Sequence, residues 1–502
     1  MPRLEIGRYE ADPAYRAFIA DLIEKVCVCG FCIFGGSVES LPIILEKLQT
    51  IAHKAGLPRL LMSCDCEWGL PMRLNKGGTE FPHLMALEKM GDQHGIRQVA
   101  TAIGIEMSAL GLHWNFAPVA DINSNPENPI INIRSFSGDP EAVAECAESF
   151  FEGLESVGII ATAKHFPGHG DTSVDSHLAL PSIDRSVVEF ESIELVPFKR
   201  LSKAGIPSIM TGHIAAPMLA ESLGANKREQ FLPATISSYL TKKLLREIIL
   251  YEGVIITDSL EMYGLQQVVN DPAEIAIRAI QAGADILLMP TDPFAAFNGL
   301  SEAIREGEID IVNLEESYQR VEKLTKKYVK SDSPKITVKW LEHEKMAQMA
   351  ATNAFSIVGE IPKPLRPSSV IIIASGSERE RIQRDALVDF FSKEFSTTRL
   401  FVIKEKLSDS SLDCGDKPLI LTFFRPRGAL TEESVLNSVH STVAELTKIL
   451  KERQITPIGV ICLGDPYISE RFSIFKSHFI LNTYSDSMAS LNSLFRLLIA
   501  HN

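Results

Sequence analysis

Residues 161–177 read ATAKHFPGHGDTSVDSH, and this stretch indicates how the chain is built. Its first part, Ala161 to Phe166, is a short and mostly apolar run of the kind that forms a buried strand. Pro167, Gly168 and Gly170 then exclude a regular helix. The stretch also contains three of the chain's twelve histidines. It therefore predicts a strand that runs into an irregular loop rich in titratable side chains.

Apolar runs alternate with helical stretches from residue 30 to about residue 290. Helical periodicity is clear in Arg97 to Leu110, Thr241 to Leu250 and Ala273 to Ala282. This alternation predicts repeated β-α units with parallel strands. Seven runs over this length favour a (β/α)8 TIM-like barrel over an open sheet, although an eighth strand is not evident. The runs are Gly30 to Phe34, Arg59 to Cys64, His113 to Val119, Ala161 to Phe166, Ser208 to Ile214, Val254 to Thr257 and Ile286 to Met289.

A second series of strands and helices follows, so the fold class is α/β with two domains. We expect a catalytic barrel domain over residues 1–335 and a helical linker over 336–366, which includes a helix from Trp340 to Phe355. Residues 367–502 are predicted to form a smaller α/β/α sandwich. Its role stays open. Its strands are expected at Val370 to Ala374, Leu400 to Ile403, Leu419 to Phe424, Ile458 to Leu463 and Phe479 to Thr483.

Length and charge limit the classes of partner. The chain has 502 residues and a formal net charge of −14 at pH 7. An acidic chain offers no broad basic surface for phosphates, so nucleic acid is not an expected partner, and a small or neutral ligand fits better. The first residues lack a secretory signal pattern, and no segment has about 18 uninterrupted apolar residues. We therefore expect a cytoplasmic protein with no membrane partner. Its oligomeric state stays open.

Two metal sites are conceivable, but the sequence favours neither. Most of the eight cysteines lie in apolar runs, which suits reduced core thiols. A zinc site would need ligands from Cys27, Cys29, Cys32, Cys64 and Cys66, which lack a clean pair of Cys-x-x-Cys motifs. The other possible zinc ligands are His165, His169 and His177 together with an aspartate. We expect no metal and no cofactor.

Polar residues follow four of the predicted strands. Asp65, the pair Lys164 and His165, His213, and Asp258 each lie at or just after a strand end. In a β/α barrel these positions lie at one rim, where active sites are found. Polar residues are also common in ordinary loops, so no single position is decisive. Their joint occurrence favours a functional rim.

Two features of this rim suggest proton transfer and nucleophilic attack. Asp175 lies two residues before His177, close enough for its carboxylate to fix one imidazole nitrogen while the other faces a substrate. Asp258 ends the run Val254 to Thr257, where its carboxylate could attack an electrophilic carbon. The alternative for Asp258 is a helix cap.

The chain resembles the β-N-acetylglucosaminidases of glycoside hydrolase family 3 that trim peptidoglycan fragments. The resemblance covers the predicted barrel and is densest in residues 164–177. It extends to residues 482–485 and 464–467 of the second domain. The other matching motifs are Asn115 to Asn123, Asn128-Pro129, Arg134 to Phe136, Met210 to Ile214, Pro233 to Ser237 and Ile256 to Met262.

The resemblance implies roles for particular residues. It makes Asp258 the nucleophile, His177 the acid/base and Asp175 the partner of His177. The positions that it places on the non-reducing N-acetylglucosamine are Asp65, Arg73, Arg134, Lys164 and His165, with His213 beside them. Structural ion pairs are the alternative for Arg73 and Arg134. The chain departs from the family at Cys66-Glu67-Trp68-Gly69-Leu70, where Trp68 either alters the pocket wall or packs beneath it.

The implied reaction removes terminal N-acetylglucosamine with retention of configuration through a glycosyl-aspartate ester. Two alternatives stay open. A histidine base does not repel a phosphate dianion, so phosphate could replace water in the second step. The chain could instead be a non-catalytic sugar-binding protein, which the joint presence of Asp175, His177 and Asp258 disfavours.

Overall fold

The computed structural model describes residues 1–126, 128, 130–172, 180–329, 336–374, 381–395, 399–403, 413–424 and 433–502. These residues form two compact units of mixed α/β structure. The first contains Met1–Thr79, Ile96–Asn128 and Ser135–Trp340. The second contains Glu80–Gly95, Pro129–Arg134 and Leu341–Asn502. Two short segments from within the first 135 residues therefore belong to the second unit.

The described residues of the first unit form seven strands in two parallel sheets. The first sheet has the order β1-β2-β3-β4 and the second β5-β6-β7. The strands are β1 (Arg3–Glu5), β2 (Gly30–Phe34), β3 (Leu61–Cys64), β4 (Trp114–Asn115), β5 (Thr162–Phe166), β6 (Ser208–Thr211) and β7 (Val254–Thr257). Six of them confirm the strands expected from the apolar runs. Strand β1 was not expected.

Backbone contacts join these two sheets at both edges. Parallel bridges from Trp114 to Ile160 and from Val119 to Lys164 link β4 to the region of β5. At the other edge, Ile256 of β7 bridges Ile286. The Met1 amino group donates to the Leu287 carbonyl at 2.8 Å, and the Met289 amide donates to the Met1 carbonyl at 2.8 Å. Backbone contacts thus link β7 to residues 286–289, and hydrogen bonds link residues 287 and 289 to Met1 at the start of the chain.

One apolar cluster in the interior of the first unit is shared by these strands. It contains side chains from β2, β3, β4, β6 and β7 and from residues 286–289. Trp114 is fully buried in it, and its indole nitrogen donates to Thr162 Oγ1 at 2.6 Å. Burial of this apolar surface is the main favourable term that holds the strands together.

An Asp-Pro pair begins four of the described helices, those that start at Pro13, Pro140, Pro272 and Pro293. The aspartate carboxylate accepts a hydrogen bond from a first-turn amide, and proline adopts the first helical position without losing a needed donor. The helices up to residue 340 are α1 (Ile6–Ala11), α2 (Pro13–Glu24), α3 (Leu41–Lys54), α4 (Leu84–Lys89), α5 (Gln93–Ala109), α6 (Pro140–Glu155), α7 (Val187–Ser192), α8 (Leu195–Ala204), α9 (Pro217–Ser222), α10 (Tyr263–Gln266), α11 (Pro272–Ala282), α12 (Pro293–Glu306) and α13 (Ile311–Tyr328). Shorter 3-10 turns occur at Leu70–Met72, Asn132–Arg134, Glu229–Phe231 and Ala234–Ile236, and Tyr239–Ile248 is a π-helix.

The second unit is built on a six-stranded sheet of order β10-β9-β11-β12-β13-β8, parallel except for β8. Alternate residues of β9 face opposite layers: Val370 and Ile372 pack with α15 and α18, whereas Ile371 and Ile373 pack with α16 and α17. Helices therefore pack against both faces of this sheet. Its elements are α14 (Trp340–Ala354), β8 (Ser356–Gly359), β9 (Ser369–Ala374), α15 (Arg381–Glu394), β10 (Arg399–Ile403), β11 (Leu419–Phe424), α16 (Glu433–Glu452), β12 (Gly459–Gly464), α17 (Ile468–Phe472), β13 (Phe479–Asn482) and α18 (Met488–Ile499).

Strand β8 lies in the stretch expected to be a helical linker, where it pairs antiparallel with β13. The segment of residues 80–95, which belongs to this unit, contacts its residues 485–488. Glu80 accepts a hydrogen bond from the Met488 amide at 3.0 Å, and His83 Nδ1 lies 3.1 Å from Ser485 Oγ. Among the described residues, no helix combines the length and apolar composition needed to cross a membrane.

Candidate active site

The strand-end residues of the first unit form two groups of contacts. Asp65 follows β3 and contacts Lys164, which lies in β5. Asp258 follows β7, and its amide donates to the Thr211 carbonyl at the end of β6 at 2.9 Å. The structure therefore brings Asp65 to Lys164, and it brings the end of β7 to the end of β6.

The first group is the Lys164 cluster, which consists of Asp65, Glu67, Arg73 and Lys164. Lys164 Nζ lies 2.9 Å from Asp65 Oδ1 and 2.7 Å from Glu67 Oε1. Arg73 donates to Asp65 Oδ2 from Nε at 3.0 Å and from Nη2 at 2.6 Å. The Lys164 and Glu67 side chains are almost fully buried. Two carboxylates and two cations thus balance one another in a largely desolvated place.

This balance keeps Asp65 ionised. Burial alone would raise the pKa of the Asp65 carboxyl, but Arg73 and Lys164 outweigh burial and hold that pKa well below its usual range. An ionised carboxylate only accepts hydrogen bonds, which suits sugar hydroxyl groups as ligands. The Arg73 ion pair matches the structural alternative for this residue, and it does not exclude contact with a ligand as well.

His165 is oriented by a buried carboxylate. Asp121 Oδ1 accepts a hydrogen bond from the His165 amide at 3.0 Å, and Asp121 Oδ2 lies 2.7 Å from His165 Nδ1. Burial would raise the pKa of Asp121, but His165 outweighs it and lowers that pKa. Because the carboxylate accepts, Nδ1 carries the proton, and the ring is held with Nε2 directed away from Asp121.

The His169 loop, residues 167–172, is held by hydrogen bonds to its backbone. Asn128 Nδ2 donates to the carbonyl oxygens of His169 and Gly170 at 2.8 and 3.0 Å. A Cβ atom on Gly170 would lie 1.5 Å from the Ile122 carbonyl oxygen, so only glycine fits there. His169 Nδ1 lies 2.7 Å from Thr172 Oγ1, and burial lowers the pKa of His169 to about 4. The His169 ring is therefore neutral at neutral pH.

His213 and Asp258 belong to the second group. His213 Nε2 donates to the Ser259 carbonyl at 2.7 Å, and Nδ1 lies 2.7 Å from Thr235 Oγ1. Both ring nitrogens thus contact protein atoms. The Asp258 side chain is partly exposed, and its Oδ1 accepts a hydrogen bond from the Ser259 amide at 2.7 Å. Helix α10 begins at Tyr263 with Met262 at its N-cap, so Asp258 does not cap that helix.

The remaining expected site residues are Arg134, Asp175 and His177. Arg134 belongs to the second compact unit, is buried, and donates from Nη1 to the Ile130 carbonyl at 3.1 Å. Asp175 and His177 lie outside the described residues.

Glu67 and Asp121, the carboxylates that contact Lys164 and His165, were not expected as site residues. Asp121 lies in the matching motif Asn115 to Asn123, whereas Glu67 lies where the chain departs from the family, and the sequence indicated no partner for either. Trp68 is buried, which supports the packing interpretation. All eight cysteines are free thiols, and six are buried, as expected for reduced core residues. Within the described part of the chain, no group of three or more His, Cys, Asp or Glu side chains is arranged to hold a metal ion.

Glu194 is a buried acid beneath the His169 loop. A Cβ atom on Gly168 would lie 2.7 Å from Glu194 Cγ. Within the described residues, neither Glu194 carboxylate oxygen accepts a hydrogen bond, although Arg185 Nη1 lies 3.3 Å from Oε1. Burial, opposed by Arg185, raises the pKa of Glu194 from 4.5 to about 7.

We expect the stability of Glu194→Gln, measured relative to the wild type, to increase as pH rises. The folded wild type holds the Glu194 proton more tightly than the unfolded chain, so its stability falls between pH 4.5 and 7, by up to about 3 kcal/mol. Glutamine cannot ionise and lacks this loss. The measurement is the free energy of unfolding of both proteins from pH 5 to pH 8. Exposed Glu191 provides the control, because Glu191→Gln should show no such trend. A constant difference between wild type and Glu194→Gln across this range would contradict the prediction.

The family assignment rests on most of the first unit. A family model described as the glycosyl hydrolase family 3 N-terminal domain matches residues 5–324. The chain belongs to glycosyl hydrolase family 3. The matched region of this family 3 protein includes both groups of site residues, and the resemblance noted in the sequence is confirmed.

Individual relatives of this family 3 protein are similar over much of its length. β-Hexosaminidase A of Pseudoalteromonas piscicida is 33% identical over 390 residues, which are 72% of this chain and 65% of that protein. The matched region is thus less than two thirds of that relative. The β-hexosaminidase of Nitrosospira multiformis is 32% identical over 281 residues, 55% of this chain and 77% of that protein. A solved glycoside hydrolase family 3 β-N-acetylglucosaminidase from Paenibacillus sp. strain FPU-7 has a TM-score of 0.80 and 26% identity, covering 96% of this chain and 93% of that chain.

Proposed function

We propose that this family 3 protein is a retaining exo-β-N-acetylglucosaminidase that removes terminal N-acetylglucosamine from β-glycosides such as peptidoglycan fragments. The observation that carries the proposal is the partly exposed carboxylate of Asp258, held at the end of β7 in the same unit as the buried Lys164 cluster. The names of the similar proteins, β-hexosaminidase and β-N-acetylglucosaminidase, support glycoside hydrolysis. The peptidoglycan part of the proposal rests on the sequence resemblance.

The proposed site requires that the strand ends share one rim, so we also propose a closed (β/α)8 barrel. The bridges between β4 and β5 and between Ile256 and Ile286 support it, as do the hydrogen bonds of Met1 to residues 287 and 289. Residues 286–289 and the unexpected strand β1 complete a ring of eight. All observed pairings in this unit are parallel, so the carboxyl ends of the strands would face one side.

Asp258 would act as the nucleophile in the proposed mechanism. One of its oxygens attacks the anomeric carbon while His177 protonates the departing glycosidic oxygen, which gives a glycosyl ester and a free alcohol. His177, now neutral, takes a proton from water, and the resulting hydroxide attacks the anomeric carbon and releases Asp258. The two inversions retain configuration. Asp175 would orient His177 and stabilise its imidazolium form.

The sugar would be held by Asp65, Arg73, Lys164 and His165. Asp65 accepts from hydroxyl groups, and the cationic side chains donate. His213 has a different proposed role. Its contacts with Thr235 and the Ser259 carbonyl fix the chain beside Asp258, so we assign it to positioning the nucleophile.

The test is a comparison of two aryl glycosides with and without inorganic phosphate. We expect turnover of the aryl β-N-acetylglucosaminide, weaker turnover of the aryl β-glucoside, and free N-acetylglucosamine as product in both buffers. Activity only on the glucoside would contradict the substrate assignment. Sugar 1-phosphate formed only with phosphate would identify a phosphorylase, and no turnover of either substrate would favour a sugar-binding protein.

A further inference from the structure

Arg185 connects three separate segments of the first unit. Its Nε donates to Asp171 Oδ2 at 2.8 Å, and its Nη2 donates to Ser124 Oγ at 2.9 Å. Its Nη1 lies 3.3 Å from Glu194 Oε1. We call these four residues the Arg185 network. Only 15% of the Arg185 side chain is exposed, so the guanidinium group is largely shielded from water.

The network spans the segment that carries the proposed acid/base residues. Asp171 precedes residues 173–179 in the chain and Arg185 follows them, so one guanidinium group ties both sides together. Asp171 belongs to the His169 loop, which Asn128 also holds. On the other side, the Ile183 amide donates to the Ala215 carbonyl at 2.9 Å, and the Ala215 amide donates to the Pro181 carbonyl at 3.0 Å.

Arginine suits this position because its planar group presents several donors in fixed directions. Here they contact Asp171, Ser124 and Glu194, which come from different parts of the chain. Lysine could reach one of these partners but could not hold all three in one geometry. An ion pair on the surface contributes little to stability, whereas a mostly buried arginine with several partners determines local geometry more strongly.

We propose that Arg185 is a positioning residue for proton transfer, which it supports by fixing Asp171 and Ser124 relative to the chain that follows His177. This inference rests on the proposed function, because it assigns Asp175 and His177 to acid/base catalysis. Arg185 itself would not touch the substrate. It would fix the described residues that precede and follow the dyad in the sequence.

The proposal predicts an effect that depends on the leaving group. A glycoside with a poor leaving group, such as an alkyl N-acetylglucosaminide, needs a proton from the acid in the first step. A 2,4-dinitrophenyl glycoside does not. Since kcat/KM reports the first irreversible step, misplacing the acid should lower kcat/KM for the alkyl substrate and spare it for the dinitrophenyl substrate. For the latter, kcat and KM should fall together, because the second step needs the base that the substitution misplaces.

The test uses Arg185→Gln in the full-length protein with both substrates. We expect kcat/KM for the alkyl glycoside to fall roughly 100-fold, at the low end of what general acid catalysis contributes, with little change for the dinitrophenyl glycoside. Arg185→Lys should recover only part of the loss. Asp171→Asn, at a side chain that is 30% exposed, should show the same substrate dependence if Arg185→Gln does not fold.

Arg200 provides the matched control. Its Nε donates to Glu148 at 2.6 Å and joins helices α8 and α6, so Arg200→Gln removes an ion pair that does not include Asp171 or Ser124. It should affect the two substrates equally. The proposal is wrong if the wild type is active and kcat/KM of Arg185→Gln or Asp171→Asn falls equally for both substrates. It is also wrong if kcat/KM of these variants falls for neither substrate. A wild type that releases no N-acetylglucosamine from either substrate would instead overturn the proposed function.

Discussion

We expect Asp258→Asn to lower kcat/KM for an aryl β-N-acetylglucosaminide by roughly four to six orders of magnitude, as loss of a covalent nucleophile does in other hydrolases. The asparagine oxygen can still accept the hydrogen bond from the Ser259 amide, so the local fold should persist. The substitution removes the negative charge and the nucleophilic oxygen. Steady-state kinetics with a sensitive fluorogenic substrate would measure the loss.

Asp292 provides a control with the same chemical change. It is exposed at the N-cap of α12, where its carboxylate accepts hydrogen bonds from two first-turn amides. Asparagine caps a helix about as well as aspartate, so Asp292→Asn should retain wild-type activity. Near-wild-type turnover in Asp258→Asn would contradict the assignment of the nucleophile.

We expect Lys164→Met to destabilise the protein by roughly 3–5 kcal/mol, the usual cost of removing one partner from a buried ion pair. Lys164 Nζ contacts Asp65 and Glu67, and the Glu67 side chain is fully buried. Without the ammonium group, those two carboxylates lose a shared cation. Activity should fall as well, because Asp65 is a proposed sugar ligand. Chemical denaturation and kcat/KM measure the two effects.

A second substitution separates charge from packing in the Lys164 cluster. Glu67→Gln in the Lys164→Met background should recover part of the lost stability, because it removes the carboxylate that the ammonium group had balanced. Lys203, exposed in the last turn of α8, provides the control, and Lys203→Met should leave stability unchanged. If Lys164→Met were as stable as the wild type, the cluster would not have the electrostatic role assigned here.

Most strands were predictable from the sequence because buried parallel strands are continuous apolar runs. Leu419–Phe424 has the expected bounds, and Val254–Thr257 does too. Strand β1 was not predictable, because Arg3–Glu5 contains one apolar residue and owes its extended form to pairing with β2. Strand β8 was missed for a similar reason. It is largely exposed, and its pairing with β13 depends on residues more than 100 positions away.

The positions of Asp65 and Asp258 just after a strand, and of Lys164 and His165 in the second half of β5, were also predictable, because polar residues at the end of an apolar run are visible in the sequence. Their partners were not. Asp121 and His165 are 44 residues apart, and nothing local joins them. The same holds for His213, whose contact with the Ser259 carbonyl depends on how β6 and β7 lie side by side. Asp175 and His177 lie outside the described residues, so their dyad stays a prediction.

The central claim is that Asp258 forms a covalent bond with the sugar, and mass spectrometry of the trapped intermediate tests it most directly. His177→Gly should slow the second step, so incubation with the 2,4-dinitrophenyl N-acetylglucosaminide should accumulate the glycosyl ester. After digestion, we expect the added mass of one N-acetylglucosaminyl group on the peptide that contains Asp258. Turnover without any labelled peptide, or a label on another residue, would contradict the mechanism.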